Sequence, residues 1–116
     1  MHISTENASF TTNDPDLIES TLRSSREIWI SGEDKYPCLT ILTSGEKACV
    51  NYFGAEESDM WLSRSESTRS EVFTAGGEKW ESPADAVIGI DEALQCVREF
   101  CITLTRPACI KWQYGV

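Results

Sequence analysis

The stretch Cys38-Leu39-Thr40-Ile41-Leu42-Thr43-Ser44-Gly45-Glu46-Lys47-Ala48-Cys49-Val50-Asn51-Tyr52-Phe53 decides the fold. Two β-prone runs flank Ser44-Gly45, and a glycine-bearing break between two such runs signals a tight hairpin turn. On the second run Ala48, Val50 and Tyr52 share one face and Cys49, Asn51 and Phe53 the other, because strand side chains alternate. Working outward, Glu27-Ile28-Trp29-Ile30 reads as a short strand before the hairpin. Residues 59–63 and 71–74 read as two strands after it, around a polar connection at residues 64–70. Gly76-Gly77 makes a turn, and residues 78–81 form one more brief strand.

Helices close the pattern on both sides. Asp14-Pro15 is a helix start: the aspartate caps free N–H groups, and proline suits the first helical position. Leu17, Ile18, Thr21 and Leu22 then make one stripe, taking the helix to about residue 24. A second helix is predicted from Asp91, with Asp91 and Glu92 favoured by the dipole in its first turn. Its apolar stripe is Ala93, Leu94, Val97, Phe100, Cys101 and Leu104; Arg106-Pro107 is read as its end, and residues 108–113 as a last strand. The predicted class is α+β, an antiparallel sheet with two helices on one face, in a single domain. Residues 1–12 are expected to be an N-terminal strand or a flexible tail, and residues 13–116 the domain itself. Trp29 and Trp112 are assigned to the core by alternation.

Composition narrows the function. The chain has 116 residues, 41% hydrophobic and 25% charged, which is globular and one domain long. It has no run of about 18 apolar residues, the minimum for a membrane helix. Its first residues, Met1-His2-Ile3-Ser4-Thr5-Glu6, lack the basic and apolar regions of a signal peptide, so a cytoplasmic location is expected. Cys38, Cys49, Cys96, Cys101 and Cys109 are odd in number and form no CxxC pair. They are read as reduced core residues, since free cysteine packs as a small hydrophobe. The net charge is −9, which makes nucleic acids and anionic membranes poor partners. Eleven acidic residues against four basic ones between positions 54 and 99 carry −7 of it. That stretch is either a solvated surface or a surface that attracts a basic partner.

Chemistry is hard to find. The only histidine is His2, near the terminus, which is too little for a Ser-His-Asp or Cys-His arrangement or for hydrolytic zinc. No GxGxxG or Walker loop occurs. The carboxylate clusters Glu56-Glu57-x-Asp59 and Asp91-Glu92 lack EF-hand spacing. No cofactor or metal is expected, and an enzyme is the minority reading. Trp61 and Trp80, each inside the acidic stretch, are either half-buried sheet residues or aromatic anchors in a charged rim.

The segment Gly76-Gly77-Glu78-Lys79-Trp80-Glu81-Ser82-Pro83, followed by Val87-Ile88-Gly89-Ile90-Asp91-Glu92-Ala93-Leu94, Arg98-Glu99-Phe100 and Arg106-Pro107 through Trp112, resembles immunity protein family one of the polymorphic-toxin systems. The match spans roughly residues 27–113. This chain departs from it at Thr103-Leu104-Thr105, where many members carry glycine, and at Gly89. The resemblance implies a bacterial protein that binds and blocks a toxin, often a nuclease or nucleic-acid deaminase, as a 1:1 pair. Basic toxins of that kind suit the acidic surplus, and the expected toxin-facing residues are Glu56, Glu57, Asp59, Trp61, Glu66 and Glu71. Three other readings remain beside it: an adaptor of the same fold, a small enzyme pairing its carboxylates with a divalent cation, and a self-associating structural protein.

Overall fold

The structure, a computed structural model, describes residues 1–56 and 58–115. In chain order it runs β1 (His2–Thr5), β2 (Ser9–Thr11), α1 (Pro15–Ser24), β3 (Glu27–Ser31), β4 (Cys38–Ser44), β5 (Lys47–Phe53), β6 (Met60–Arg64), β7 (Val72–Ala75) and β8 (Glu78–Glu81). A 3-10 turn (Ala84–Ala86), β9 (Ile88–Gly89), α2 (Ile90–Thr103) and β10 (Lys111–Tyr114) complete it. The fold is α+β in one domain. An antiparallel sheet in the order β10-β6-β5-β4-β3-β1-β2 carries both helices on one face, and β9 pairs with β5. The hairpin predicted at Ser44-Gly45 turns one residue later, on Gly45-Glu46, with Ser44 opposite Lys47.

The inner face holds the main core. Ile28, Ile30, Leu39, Ile41, Ala48 and Val50 are fully buried under Leu22 of α1 and Ala93, Cys96 and Phe100 of α2. Burial of this area is the main stabilising term, at roughly 25 cal/mol per Å² of apolar surface. Asp14 caps α1 as predicted, its Oδ1 accepting from Asp16 N at 3.0 Å. Glu92 reaches back to accept from Gly89 N at 3.2 Å, and Ile90 N donates to Glu46 O at 3.0 Å, so the start of α2 is fastened to the β4–β5 turn. Glu19 pairs with Arg98, and Arg23 with Asp91, between the two helices.

The outer face departs from a simple meander. β7 and β8 leave the sheet as a separate ribbon. Their turn needs a left-handed backbone at two successive residues, and Gly76 and Gly77 supply it with φ of 60° and 82°. The ribbon covers only part of the outer face, where Phe73 and Trp80 pack with Leu42, Cys49, Leu62, Ala86 and Val87. Trp29 lies beyond that cover and is 42% exposed, so its assignment to the core is corrected. Alternation put it opposite Ile28 and Ile30, on the face the helices do not reach. Trp112 is half-buried, with Nε1 donating to Pro107 O at 2.7 Å.

The predicted end of α2 also moves. The helix stops at Thr103, three residues before Arg106-Pro107, with Leu104 in the left-handed region at φ 53° and its N–H on Phe100 O. Thr103 Oγ1 helps the stop by accepting from Thr105 N at 3.2 Å. A threonine that bonds its neighbouring backbone competes with helix continuation. The last strand accordingly begins at Lys111 rather than at residue 108.

Candidate functional site

Antiparallel pairing brings alternate connections to one end of the sheet. Ser31, Cys38, Phe53 and Met60 lie in one row across β3, β4, β5 and β6. The β3–β4 connection (residues 32–37) and the β5–β6 connection (residues 54–59) therefore leave the sheet side by side. β10 ends at the same place, with Tyr114 opposite Trp61.

Glu56, Asp59 and Trp61 meet there. Gly54 N donates to Asp59 O at 2.7 Å, and Asp59 N to Glu56 O at 2.9 Å. A Cβ at Gly54 would fall 1.8 Å from Asp59 Oδ2, so only glycine lets this carboxylate fold inward. Asp59 Oδ1 then accepts the Trp61 indole N–H at 2.7 Å. The indole is held between two further groups: the Arg106 guanidinium lies 3.9 Å from its ring centre, and Tyr114 meets it edge-on at 5.3 Å. Tyr114, 64% exposed, donates its hydroxyl to Ser58 O at 2.6 Å. Trp61 is thus half-buried and fixed in orientation, while Glu56 projects into solvent.

Around the corner, on the uncovered outer face, Trp29 stacks on Phe53 at 6.2 Å with planes 7° apart. Tyr36, 43% exposed, sits in the neighbouring connection with Lys35 Nζ 5.6 Å from its ring centre. Exposed Glu33 and Asp34 precede it in the same connection. This end of the molecule therefore carries carboxylates from two loops, with the Trp61–Tyr114 pair on the helix-bearing face of the sheet and the Trp29–Phe53 stack on the other.

Glu66 and Glu71 lie elsewhere. They follow the other end of β6, whose five residues span roughly 17 Å at about 3.3 Å per residue. There they line an open polar cleft with Lys47, Arg69 and Val87, and Glu71 Oε1 accepts from Ser44 Oγ at 3.4 Å. Trp80 packs on Phe73 at 6.4 Å, taking the half-buried alternative of its two readings. Glu57 lies outside the described residues.

The family model for Immunity protein Imm1 matches residues 11–114. The chain belongs to the Imm1 immunity protein family. No curated protein matches it. The family match covers the helices, the hairpin and the two-loop end together, and it brings with it a toxin protein as the partner of an immunity protein.

The other residues that the sequence raised for chemistry have structural engagements in this Imm1 protein. Asp91 faces Arg23, and Glu92 holds the backbone at the start of α2. His2 lies on β1 with Nδ1 3.2 Å from Thr11 Oγ1. Among the described residues no group of three His, Cys, Asp or Glu side chains is placed to hold a metal ion, and no helix is long and apolar enough to cross a membrane. Burial raises the thiols of Cys38 and Cys49 to about 11 each, which suits inert packing groups. Sequence reasoning did not raise Glu33, Asp34, Tyr36 or Tyr114, which the structure places at this end of the sheet. Their signal was available in principle, because successive hairpins in a meander return every second loop to the same end.

Proposed function

We propose that this Imm1 protein neutralises a cognate bacterial toxin by seating the sheet end formed by residues 32–37 and 54–59 over the toxin's active site. It acts as a 1:1 binding partner, in the bacterial cytoplasm, with no catalytic step and no cofactor. The toxin class that the charge favours is a nuclease or a nucleic-acid deaminase, because a site that grips phosphate is basic. The observation that carries the reading is that exposed Glu33, Asp34 and Glu56 leave the same end of the sheet, with the fixed Trp61–Tyr114 pair on its helix-bearing face and the exposed Trp29 ring on the other. Aromatic anchors inside a charged rim are the usual make-up of an interaction hot spot. Carboxylates on such a surface stand in for phosphates and speed encounter with a cationic partner. Glu66 and Glu71, at the far end of β6, fall outside this surface.

The test is co-expression with the toxin domain encoded beside this gene. The wild-type chain restores growth, and the purified pair elutes as one complex. Charge reversal by Glu33→Lys, Asp34→Lys and Glu56→Lys together weakens the complex at least tenfold, a loss of about 1.4 kcal/mol. Asp59→Asn is the gentler probe at the fourth position, since Asp59 also orients Trp61. Undiminished affinity in the triple variant, with an association rate indifferent to salt, removes this surface from the reading. No rescue of growth and no complex removes the toxin assignment itself.

A further inference from the structure

Two thiols outside the proposed toxin surface lie almost in bonding position. Cys96 sits on α2 with no exposure, whereas Cys109 is exposed in the link between α2 and β10. Their Sγ atoms are 3.5 Å apart. The link is already held against the helix: Pro107 is buried, its carbonyl accepts the Trp112 indole N–H at 2.7 Å, and the Glu99 carboxylate accepts from Ala108 N. A disulfide needs the sulfurs at about 2.05 Å. The two sulfurs are already in van der Waals contact, and closing the bond needs an approach of about 1.5 Å.

We propose that Cys96 and Cys109 form a redox-responsive pair that closes to a disulfide by exchange with a small disulfide oxidant of the oxidised-glutathione class. Cys109, the accessible partner, attacks first as its thiolate. A bond forms between its Sγ and one glutathione sulfur, the glutathione S–S bond breaks, and one glutathione thiolate leaves. Cys96 then attacks Cys109 Sγ, its proton passing to the departing glutathione sulfur, and the second glutathione leaves as a thiol. Two protein thiols are oxidised to one disulfide, and one glutathione disulfide is reduced to two thiols. The order follows from access, and burial together with the adjacent Cys109 thiol pushes the Cys96 thiol well above its ordinary range.

The bond would tie α2 directly to the segment that carries Arg106 and Tyr114. Those two residues both contact the Trp61 ring. Oxidation thereby locks the segment flanking the aromatic end of the sheet. The inference stands on the thiol geometry and is independent of what docks there.

The test uses the full reduced chain incubated with excess oxidised glutathione at a pH of about 8, near the ordinary thiol pKa. Two of the five free thiols disappear, the mass falls by two hydrogens, and peptide mapping joins Cys96 to Cys109. Amide exchange slows across residues 104–114. Cys96→Ala stops at a Cys109–glutathione mixed disulfide, and Cys109→Ser, altered only at an exposed position, forms no intramolecular bond. Five persisting thiols, a bond from Cys109 to Cys101, or an unmodified Cys109 in the Cys96→Ala chain overturns the proposal.

Discussion

At the scale of single residues, the side chains that matter most are those that serve two backbone segments at once. Glu6, in the β1–β2 turn, accepts from Arg26 N at 2.8 Å through Oε1 and from Glu27 N at 3.2 Å through Oε2. Burial pushes its carboxyl up, but the bonds from those N–H groups outweigh it and leave the pKa below the ordinary 4.5. A carboxylate depressed in the folded state contributes stability that is full above the unfolded value and is lost as pH falls through the folded one. Glu6→Gln keeps one acceptor oxygen and loses the charge. Urea midpoints should therefore show the variant less stable than wild type at neutral pH, with the gap closing below about 4.5. A gap that stays constant down to acid unfolding would show that the two bonds do not depend on ionisation. Sequence alone gave no hint of this role, since nothing local to Glu6 signals a partner twenty residues away. Gly54 is the same lesson: a lone glycine reads as a loop residue, and its packing against Asp59 is visible only in three dimensions.

Among elements, the junction of β5 changes partners part-way along its length. Asn51, Tyr52 and Phe53 pair with β6, whereas Lys47 and Ala48 pair with β9. Ser63 bridges the change. Its buried hydroxyl accepts from Val50 N at 3.1 Å and donates to Ala86 O at 2.7 Å. Ser63→Ala leaves two buried backbone groups without that partner, a cost of about 1–3 kcal/mol for each unsatisfied group. Chemical unfolding should report a loss within that range or above it, and Ser63→Thr should lose stability through crowding instead. A change under about 0.5 kcal/mol, the level of ordinary surface substitutions, would mean that water replaces the hydroxyl. The elements themselves were legible where period and punctuation agreed: Asp14-Pro15, the hairpin alternation and Gly76-Gly77 each carry their own physical signal. The short β9 was not, because two residues hold no period. The separate β7–β8 ribbon was not either, since a strand sequence does not say which sheet it joins.

For the molecule as a whole, the acidic surplus looked contiguous along the chain but is divided in space. Glu56 and Asp59 stand at one end of β6 and Glu66 and Glu71 at the other, while Glu33 and Asp34, from outside the acidic stretch, lie in the neighbouring connection at the same end of the sheet as the first pair. Trp29, assigned to the core by its pattern, is part of the exposed aromatic surface there. Chain order could not supply this grouping; the register of four strands does. The division makes a kinetic prediction. Long-range attraction governs how fast a charged pair meets and is screened over about 8 Å at physiological salt, whereas short contacts govern how slowly it parts. If the toxin approaches the two-loop end, neutralising Glu33, Asp34 and Glu56 to Gln, Asn and Gln should slow association about tenfold at low salt and flatten its dependence on ionic strength. Dissociation should change by less than about threefold, because these side chains lie on the rim. Glu66→Gln, beyond the far end of β6, should leave the association rate nearly unchanged. Stopped-flow mixing of each variant with the toxin domain over a salt series measures all three quantities. An equal loss of association rate from Glu66→Gln would move the approach to the other end of the sheet.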